Sequence, residues 1–585
     1  MSGDAWITVV VMVATFGLLV WDRLAPSAVV LMAAVTLLIT GVIDTSQALS
    51  GFANPAPITV AALYVLARAA EKTGMLSPLT ARLLGSGQRR RELARLVIPA
   101  AGASAFLNNT PLVAMMTPDI VSLTQRRGLA ASRFLMPLSF AAILGGTMTV
   151  LGTSTNLVVS GLLEEGGQRG LGLFEVTAIG GPVALIGMVV LIGVSWQLVP
   201  IRSTAQEQAQ QEIREFVVTM EVIAGGPYDG VSINDTDLIG RRHVFLVQLA
   251  QGDRTMAPVD LDTLLQPGDR LTFVGEVTQI VGLYRLQGLR STSQKHLDAV
   301  AEPGHGLYVA VVGRTSPLAG HQLADIAFLG RYQAAVLAIH RDGHRITADP
   351  REVRFRPGDA LMVLAGPQFQ VNWTERRDFL LISRLGGDPP TASRNAPVVA
   401  AITLIMVLVA ALGILSILEA ALLAAGALVA TRVLTSNEVR DAIDFDVIIL
   451  IAASFALGAA METTGLASSL ANGIIAAFDQ FGTVGVVFGL LVAMAVTTEL
   501  VTNNAAVIVV FPIAMSLAEA TGIDSRTLAI AIGVVASCSF MTPIGYQTNT
   551  IVYGPGGYRF TDYARVGWPL TLTVLVTATA IVASM

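Results

Sequence analysis

The 585-residue sequence predicts a polytopic α-helical membrane protein. We expect an inverted repeat of five spans plus a re-entrant hairpin in each half, with two small α+β cytoplasmic domains inserted between the halves. The composition is 53% hydrophobic and only 14% charged, with a mean hydropathy of +0.65, whereas soluble proteins carry about 25% charged residues. In addition, two apolar regions flank a polar one, and both apolar regions carry similar polar motifs in the same order.

The shift in composition predicts four segments. Residues 1–200 form a first membrane repeat, whose hairpin enters from the cytoplasm, and residues 395–585 form a second, whose hairpin enters from outside. Residues 201–290 and 291–394 form the two cytoplasmic domains.

The first repeat has apolar stretches of bilayer length. The predicted spans are 5–21, 26–43, 57–73, 132–163 and 176–198, with a hairpin at 92–125. The hairpin is too short for two crossings, and its tip is Asn108-Asn109-Thr110. Polar backbone at this depth is tolerated only where it is buried in protein or lines a cavity.

Arginines set the orientation. Arg89–Arg91, Arg126–Arg127, Arg133 and Arg202 fall at ends that share one side, which the positive-inside rule makes cytoplasmic. We therefore expect a multi-pass protein of the bacterial plasma membrane with its N-terminus outside.

The second repeat follows the same plan. Its predicted spans are 397–414, 416–433, 446–463, 526–553 and 566–584, with a hairpin at 484–517. Asn109 and Asn503 are 394 residues apart, as are Pro118 and Pro512. An odd number of spans inverts the second repeat, and Arg526 is then an exception that lies outside. Inverted repeats with discontinuous helices are typical of transporters that bind substrate near the midplane.

The polar middle is itself repeated. Gly240–Leu249 matches Gly330–Ile339, and the turn Pro267-Gly-Asp matches Pro357-Gly-Asp, both at an offset of 90 residues. Alternating apolar runs around these turns predict strands. A polar linker, Gln206–Glu215, leads into the pair.

The two hairpin tips and the two interrupted spans predict one uncharged binding site. Pro111 fits the first turn of a helix that Asn109 or Thr110 would cap, and helix N-termini attract anions. Gly152 and Gly545 permit non-helical backbone inside their spans. The predicted substrate-binding residues are Asn108, Asn109, Thr110, Thr153, Ser154, Thr502, Asn503, Asn504, Gln547 and Thr548. The predicted Na⁺ ligands are Ser104, Asn109, Gly152 and Asn156 in the first half, and Thr498, Asn503, Gly545 and Asn549 in the second.

Other chemistries are excluded or left open. Cys538 is the one cysteine, so an intramolecular disulfide is impossible. No nucleophile–base pair is visible, so we expect no enzyme activity and no cofactor besides Na⁺ as coupling ion. Glu499 is a functional candidate, because a carboxylate near a membrane hairpin tip is costly; exposure to external water is the alternative. All six histidines lie in the polar middle, so a histidine site in the membrane is excluded. They are His243, His296, His305, His321, His340 and His344.

Energetics favours cation coupling for import of a dianion. Moving two negative charges into an inside-negative cell costs about 4.6 kcal/mol per 100 mV. More than two Na⁺ per dianion would convert this opposing potential into a driving force.

The motifs resemble the divalent anion:sodium symporter family of the wider ion transporter superfamily, which carries Ser-Asn-Thr on each of two hairpins. Here Asn108-Asn109-Thr110 and Thr502-Asn503-Asn504 stand in those places. The resemblance implies Na⁺ at the tips, substrate between them, and a homodimer with a scaffold part and an elevator-like transport part. Asn108, Thr502 and Asn504 depart from the motif, which weighs against dicarboxylates.

The two middle units resemble TrkA-C domains, the C-terminal domains of regulators of K⁺ conductance. Members with such a pair look like the sulfate-transporting branch, so the resemblance implies sodium-coupled import of sulfate or a similar oxyanion. It also implies regulation by a small cytoplasmic ligand, such as a nucleotide, and no nucleic-acid partner is expected. A sodium/dicarboxylate symporter, a TrkA-C-gated ion channel and an oxyanion efflux protein are the alternatives; H⁺ instead of Na⁺ stays open.

Overall fold

The computed structural model describes most of the chain. In the apolar regions it describes residues 2–21, 24–75, 90–126, 129–202, 393–543 and 545–585. In the middle it describes 216–236, 238, 244–252, 254–256, 259–260, 262–275, 283, 286–291, 306–313, 316–323, 325–326, 328–341, 344–346, 353–366, 368–373 and 378–384. The predicted linker at Gln206–Glu215 lies outside the described residues. The chain forms two compact units, one of residues 1–202 with 388–585 and the other of residues 203–387.

The described part of the first apolar region is helical. Its helices are α1 (Gly3–Trp21), α2 (Pro26–Ile39), α3 (Thr45–Ala53), α4 (Pro55–Thr73), α5 (Arg90–Ser104), α6 (Asn109–Arg126), α7 (Ser132–Gly146), α8 (Ser154–Glu165) and α9 (Thr177–Leu198). The predicted hairpin corresponds to α5 and α6, and the predicted interrupted span corresponds to α7 and α8.

The second apolar region follows the same order. After two short helices of the middle, α10 (Phe328–Tyr332) and α11 (Phe369–Trp373), come α12 (Ala396–Ala411), α13 (Ile417–Ala430), α14 (Ser436–Ala442), α15 (Phe445–Thr463), α16 (Leu466–Phe478), α17 (Gly482–Leu500), α18 (Asn503–Thr521), α19 (Ser525–Ser537), α20 (Gln547–Tyr553) and α21 (Phe560–Ser584). Here α17 and α18 form the hairpin, and α19 and α20 form the interrupted span.

Short helices were missed because their polar sequences carry no span signal. Both α3 and α14 begin with a capping box, from Asp44 and Gln47 in α3 and from Thr435 and Glu438 in α14. α16 was also missed, because its apolar run merges with the hairpin that follows.

Several helices are long enough to cross a bilayer. Five helical stretches of the described residues are sufficiently long and apolar: Thr45–Thr73, Phe445–Thr463, Leu466–Leu500, Asn503–Thr521 and Phe560–Ser584. Shorter apolar helices include α1, α2, α7, α9, α12, α13 and α19. This is a helical multi-pass membrane architecture.

The helices of this unit pack in two groups that also contact each other, since α15 packs on α18. In one, α2 and α3 pack on α15, and α4 packs on α13; Leu37, Leu66 and Leu428 are buried there. In the other, α5 packs on α7, α9 packs on α21, and α18 packs on α19. Small residues allow close approach, as is common between membrane helices: a Cβ at Gly51 would lie 2.1 Å from the Ala452 carbonyl oxygen.

Ion pairs connect the two apolar regions. Arg526 binds the carboxylate of Glu175 and donates to the carbonyls of Arg169 (2.7 Å) and Gly170 (2.9 Å). These contacts neutralise the arginine that departs from the charge rule. Arg202 binds Asp562 at 2.9 Å.

The described residues of the middle unit form two five-stranded sheets. Their strands are β1 (Phe216–Val222), β2 (Val244–Gln251), β3 (Arg254–Met256), β4 (Arg270–Gly275), β5 (Leu289–Ser291), β6 (Gly306–Val312), β7 (Ala334–Arg341), β8 (His344–Arg345), β9 (Ala360–Ala365) and β10 (Phe379–Arg384). The strand orders are β3-β2-β4-β1-β5 and β10-β6-β9-β7-β8, so corresponding strands occupy corresponding places. In both Pro-Gly-Asp turns the aspartate is buried and accepts a backbone N–H at 2.8 Å, from Gln266 and from Arg356.

Candidate functional site at the hairpin tips

Four helices begin close together in the membrane unit. α6 begins at Asn109 and packs on α20, which begins at Gln547; α18 begins at Asn503 and packs on α8, which begins at Ser154. Each hairpin tip therefore contacts the interrupted span of the other half. The predicted residues of the two halves are brought together.

The first tip is organised around Asn109, which is fully buried. In the orientation that its neighbours require, its NH₂ group donates to Ser104 Oγ (2.5 Å), the Ala142 carbonyl (2.9 Å) and the Gly152 carbonyl (3.2 Å), and its oxygen accepts from the Tyr546 hydroxyl (2.8 Å). Ser104 Oγ also donates to the Ala142 carbonyl, at 2.8 Å. The oxygens of Ser104, Ala142 and Gly152 thus converge on the amide NH₂ group of Asn109.

The second tip repeats one of these contacts. Thr498 is fully buried, and its hydroxyl donates to the Ala536 carbonyl at 2.7 Å. Donor and acceptor are separated by 38 residues, as they are for Ser104 and Ala142. The hydroxyl thus joins the hairpin to the interrupted span in the same way in both halves.

Thr153 and Tyr546 meet where α8 and α20 begin. Their hydroxyls lie 3.1 Å apart, and the two residues are the N-caps of these helices. They are separated by 393 residues, the offset that relates Gly152 to Gly545. The contact joins corresponding positions of the two halves.

Reciprocal contacts flank this pair. The Thr110 hydroxyl donates to Gln547 Oε1 at 3.1 Å, and the Ser154 hydroxyl donates to Asn504 Oδ1 at 3.2 Å. Thr110 corresponds to Asn504 and Ser154 corresponds to Gln547, so each half makes the same link to the other. Asn503 Nδ2 donates to Thr155 Oγ1 at 2.5 Å.

Two asparagines hold the interruptions open. Asn156 Nδ2 donates to the Thr149 carbonyl at 2.9 Å, and Asn549 Nδ2 donates to the Thr542 carbonyl at 3.2 Å, each seven residues back. Ser139 Oγ donates to Asn549 Oδ1 at 2.7 Å. These bonds satisfy carbonyls that an interrupted helix leaves without partners.

The predicted cap of α6 was wrong. The helix begins at Asn109, and Asn108 Oδ1 accepts from the Thr110 N–H at 3.2 Å, so neither Asn109 nor Thr110 caps it. Pro111 stands third in the helix. There a missing N–H still costs nothing, because the first N–H groups of a helix have no intrahelical partner.

The predicted site residues fall into a buried set and a set that is partly accessible. The predicted Na⁺ ligands are buried except for Asn503, which is half-buried. Of the predicted substrate residues, Asn108, Thr110, Ser154, Thr502 and Asn503 are half-buried and Gln547 is exposed, whereas Asn109, Thr153, Asn504 and Thr548 are buried. Polar groups that a dissolved anion could reach therefore lie beside a more deeply buried set of oxygens.

Sequence reasoning missed three residues of this network. Tyr546 lies within the Gly545–Asn549 motif, and its position opposite Thr153 in the repeat could have identified it. Thr155 lies beside the predicted Ser154. Ser139 lies in α7, the continuous apolar helix that precedes the interruption, and no motif identifies it.

Glu499 lies at the end of α17, next to Thr498. Its Oε1 accepts from the N–H groups of Phe540 (2.8 Å) and Met541 (2.9 Å). Among the described residues Glu499 forms no ion pair with lysine or arginine. Nor do the described residues contain a cluster of three His, Cys, Asp or Glu side chains that could hold a metal. The part of the site that the structure describes is thus without a fixed positive charge.

Comparison with known proteins identifies relatives over nearly the whole chain. A family model described as citrate transporter matches residues 16–533 and 486–585. A protein of Chlamydomonas reinhardtii described as a candidate sulfur deprivation response regulator is 33% identical over 92% of this chain and 94% of its own. An uncharacterised transporter of Synechocystis is 30% identical over 98% and 95% of the two chains. Sodium/sulfate cotransporter 1 of Chlamydomonas reinhardtii is 24% identical over 94% and 86%.

Proposed function

This chain belongs to the citrate transporter family and is a membrane transporter, and we propose that it imports sulfate, or a similar divalent oxyanion, together with Na⁺. The observation that carries the proposal is the reciprocal pairing of the hairpin tips. Thr110 binds Gln547 and Ser154 binds Asn504, so that both halves contribute to one polar site.

An anion fits the accessible part of this site. Three long helices, α6, α8 and α18, begin there, and their N-termini offer N–H groups and partial positive charge. Half-buried Asn108, Thr110 and Asn503 add neutral donors. Because the described site has no fixed cation, a dianion needs charge compensation from ions that bind with it.

Sodium ions supply that compensation in our proposal. The Ser104 hydroxyl and the Ala142 and Gly152 carbonyls would suit a hard cation once the Asn109 amide turns its oxygen towards them, and the oxygens around Thr498 and Asn549 would suit a second. Carbonyls at interrupted helices are the usual ligands of Na⁺ in transporters with this kind of helix break. Two corresponding sets imply at least two Na⁺ per anion.

Sulfate is preferred over a dicarboxylate for two reasons. Asn108, Thr502 and Asn504 replace residues of the Ser-Asn-Thr motifs, and relatives matched along almost the whole chain include a protein named sodium/sulfate cotransporter. The citrate description of the family favours a di- or tricarboxylate as the second candidate. A channel or an efflux protein is not favoured by any contact at the tips.

We further propose that the two halves are inverted relative to each other and that the protein works by an elevator motion as a homodimer. The packing of the helices in two groups supports this proposal: α1–α4 with α12–α15 would be the scaffold, and α5–α9 with α16–α21 would move.

The middle unit would act as a pair of TrkA-C-like regulatory domains in the cytoplasm. A cavity of about 390 Å³ in its second sheet domain supports binding of a small ligand. His321, Asp325, Arg331 and Tyr332 line it, and Asp378 pairs with Arg331 at 3.3 Å and accepts from the Tyr332 hydroxyl at 2.8 Å. The lining thus carries groups of both charges, and the nucleotide is proposed from the resemblance to TrkA-C domains.

Uptake into proteoliposomes tests the transport proposal. We expect labelled sulfate to accumulate in an inward Na⁺ gradient and not in an equal K⁺ gradient, and we expect succinate and citrate to accumulate less. Uptake of a carboxylate but not of sulfate would support the second candidate. If none of the three enters, the proposal is wrong.

A further inference from the structure

Three side-chain oxygens lie close together at the second tip, although the fold does not require them to. A Cβ at Gly545 would lie 2.1 Å from Ser539 Oγ, 3.0 Å from Thr542 Oγ1 and 3.1 Å from Glu499 Oε2. These side chains come from α17 and from the interruption between α19 and α20. The space beside Gly545 is therefore lined by two hydroxyls and a carboxylate.

Two of these oxygens have no hydrogen-bond partner among the described residues outside the cluster. Ser539 is fully buried, and its Oγ makes no hydrogen bond to any described residue outside this cluster; Glu499 Oε2 is also buried and makes none outside it. Buried polar atoms without partners are rare, and each calls for an explanation such as a bound ion. The other carboxylate oxygen, Oε1, already accepts two backbone N–H groups and holds the loop.

The first half has no equivalent cluster. At the offset that relates Ser104 to Thr498, Glu499 corresponds to Ala105, and Ser539 corresponds to Gly145. Thr149 corresponds to Thr542 at the offset of 393 residues that relates Gly152 to Gly545. Its hydroxyl donates to the Ala105 carbonyl. The hydrogen bonds that the two halves share do not involve the added oxygens of the second half, so the repeated scaffold does not require them.

We propose that Glu499 Oε2, Ser539 Oγ and Thr542 Oγ1 bind a further Na⁺, in addition to the two sites of the paired tips. A carboxylate and two hydroxyls are hard oxygen ligands, and an ionisable residue inside a membrane protein commonly marks an ion pathway. This inference rests on the proposed sodium-coupled import. It supplies the third cation that makes the inside-negative potential drive entry of a dianion.

Glu499→Gln separates the ligand role from the scaffold role. Glutamine keeps one carbonyl oxygen that can accept from Phe540 and Met541, while it removes the charge and replaces Oε2 by an amide. Ser539→Ala removes only an oxygen that bonds to no described residue outside the cluster. Ser537→Ala is the matched control, because Ser537 is equally buried two residues away, at the end of α19, but bonds to the Gly533 carbonyl of that helix.

The experiment measures ²²Na⁺ and labelled sulfate entry together with charge movement in proteoliposomes. We expect Glu499→Gln to carry one Na⁺ fewer per sulfate than the wild type, with net charge per sulfate falling to about zero. Ser539→Ala should raise the Na⁺ concentration for half-maximal uptake several-fold, and Ser537→Ala should match the wild type.

The outcomes distinguish this inference from the proposed function. Wild-type protein that takes up no sulfate in a Na⁺ gradient refutes the proposed function. Wild-type uptake with an unchanged Na⁺-to-sulfate ratio in Glu499→Gln, and unchanged Na⁺ dependence in Ser539→Ala, refutes the third site alone. If Glu499→Gln fails to fold, as judged by its thermal transition, Ser539→Ala decides.

Discussion

The hydroxyls of Thr153 and Tyr546 lie 3.1 Å apart, between positions that correspond in the two halves of the membrane unit. Tyr546 also bonds to Asn109 of the first hairpin tip, at 2.8 Å. One phenol thus connects a hairpin of the first half with both interrupted spans. The site depends on this junction, because its members lie on elements that are far apart in the chain.

Tyr546→Phe should loosen the junction. It removes the donor to the Asn109 oxygen and the partner of Thr153 while the ring stays in place. Loss of buried hydrogen bonds costs about 1–3 kcal/mol. We therefore expect a lower thermal transition temperature in detergent and a higher Na⁺ concentration for half-maximal uptake. A double-mutant cycle with Thr153→Val should be non-additive; additive effects would contradict a direct contact.

Ser104→Ala and Thr498→Ala should have similar consequences, because both hydroxyls donate to a carbonyl 38 residues onward. Each should raise the Na⁺ concentration for half-maximal uptake about tenfold, equivalent to about 1.4 kcal/mol. Thr498→Ser keeps the hydroxyl and serves as the control. A normal Na⁺ dependence in both alanine variants would remove these residues from the cation sites.

Gly152→Ala should abolish uptake. A Cβ at Gly152 would lie 2.5 Å from the Gly146 carbonyl oxygen, so the interruption of the helix would have to shift, at a cost of about 1–3 kcal/mol. Gly102→Ala is the control, since nothing lies within 4 Å of its added Cβ, and alanine should stabilise α5 by about 0.5–1 kcal/mol. Equal uptake by the two variants would contradict the tight packing at Gly152.

Glu438→Gln tests the contact between α4 and α14 through its pH dependence. Burial raises the pKa of Glu438, but Lys72 and the Thr435 N–H and hydroxyl outweigh burial and bring the pKa down to about 2. Because the folded pKa lies below the unfolded value of about 4.3, the carboxylate stabilises the protein fully above pH 4.3 and loses this effect as the pH falls towards 2.

The pair is partly exposed, so we expect Glu438→Gln to cost about 0.5–1 kcal/mol at pH 7. The difference in thermal stability from the wild type should disappear across that acid range. Asp441→Asn, on the exposed side of the same helix, is the control. A difference that stays constant with pH would contradict an ionic contribution.

The sequence predicted the parts of the site better than their connections. The offset of 394 residues identified Asn109 and Asn503, and glycine within an apolar run identified Gly152 and Gly545, because polar and flexible residues are conspicuous in membrane spans. The partnership of Thr110 with Gln547 was not predictable, since it depends on how two hairpins pack against two interrupted helices. Ser139 and Ser539 were missed because a single serine in an apolar run usually bonds to its own backbone.

For the fold, too, the sequence predicted some elements and not others. Span positions followed from hydropathy, because length and low charge are what a bilayer requires. The short helix α3 instead depends on its local capping box from Asp44 and Gln47. The middle repeat was visible because the Pro-Gly-Asp turn needs glycine in the left-handed region, and Gly268 and Gly358 have φ values of 90° and 88°.

The central claim is that both hairpin tips build one Na⁺-dependent anion site. Its most direct test is the current that sulfate evokes in proteoliposomes adsorbed on a solid-supported membrane, for the wild type, Asn109→Ala, Asn503→Ala and the exposed control Asn472→Ala. We predict a current in the wild type and the control only when Na⁺ and sulfate are both present, and none in either tip variant. A wild-type current without Na⁺, or full currents in both tip variants, would contradict the claim.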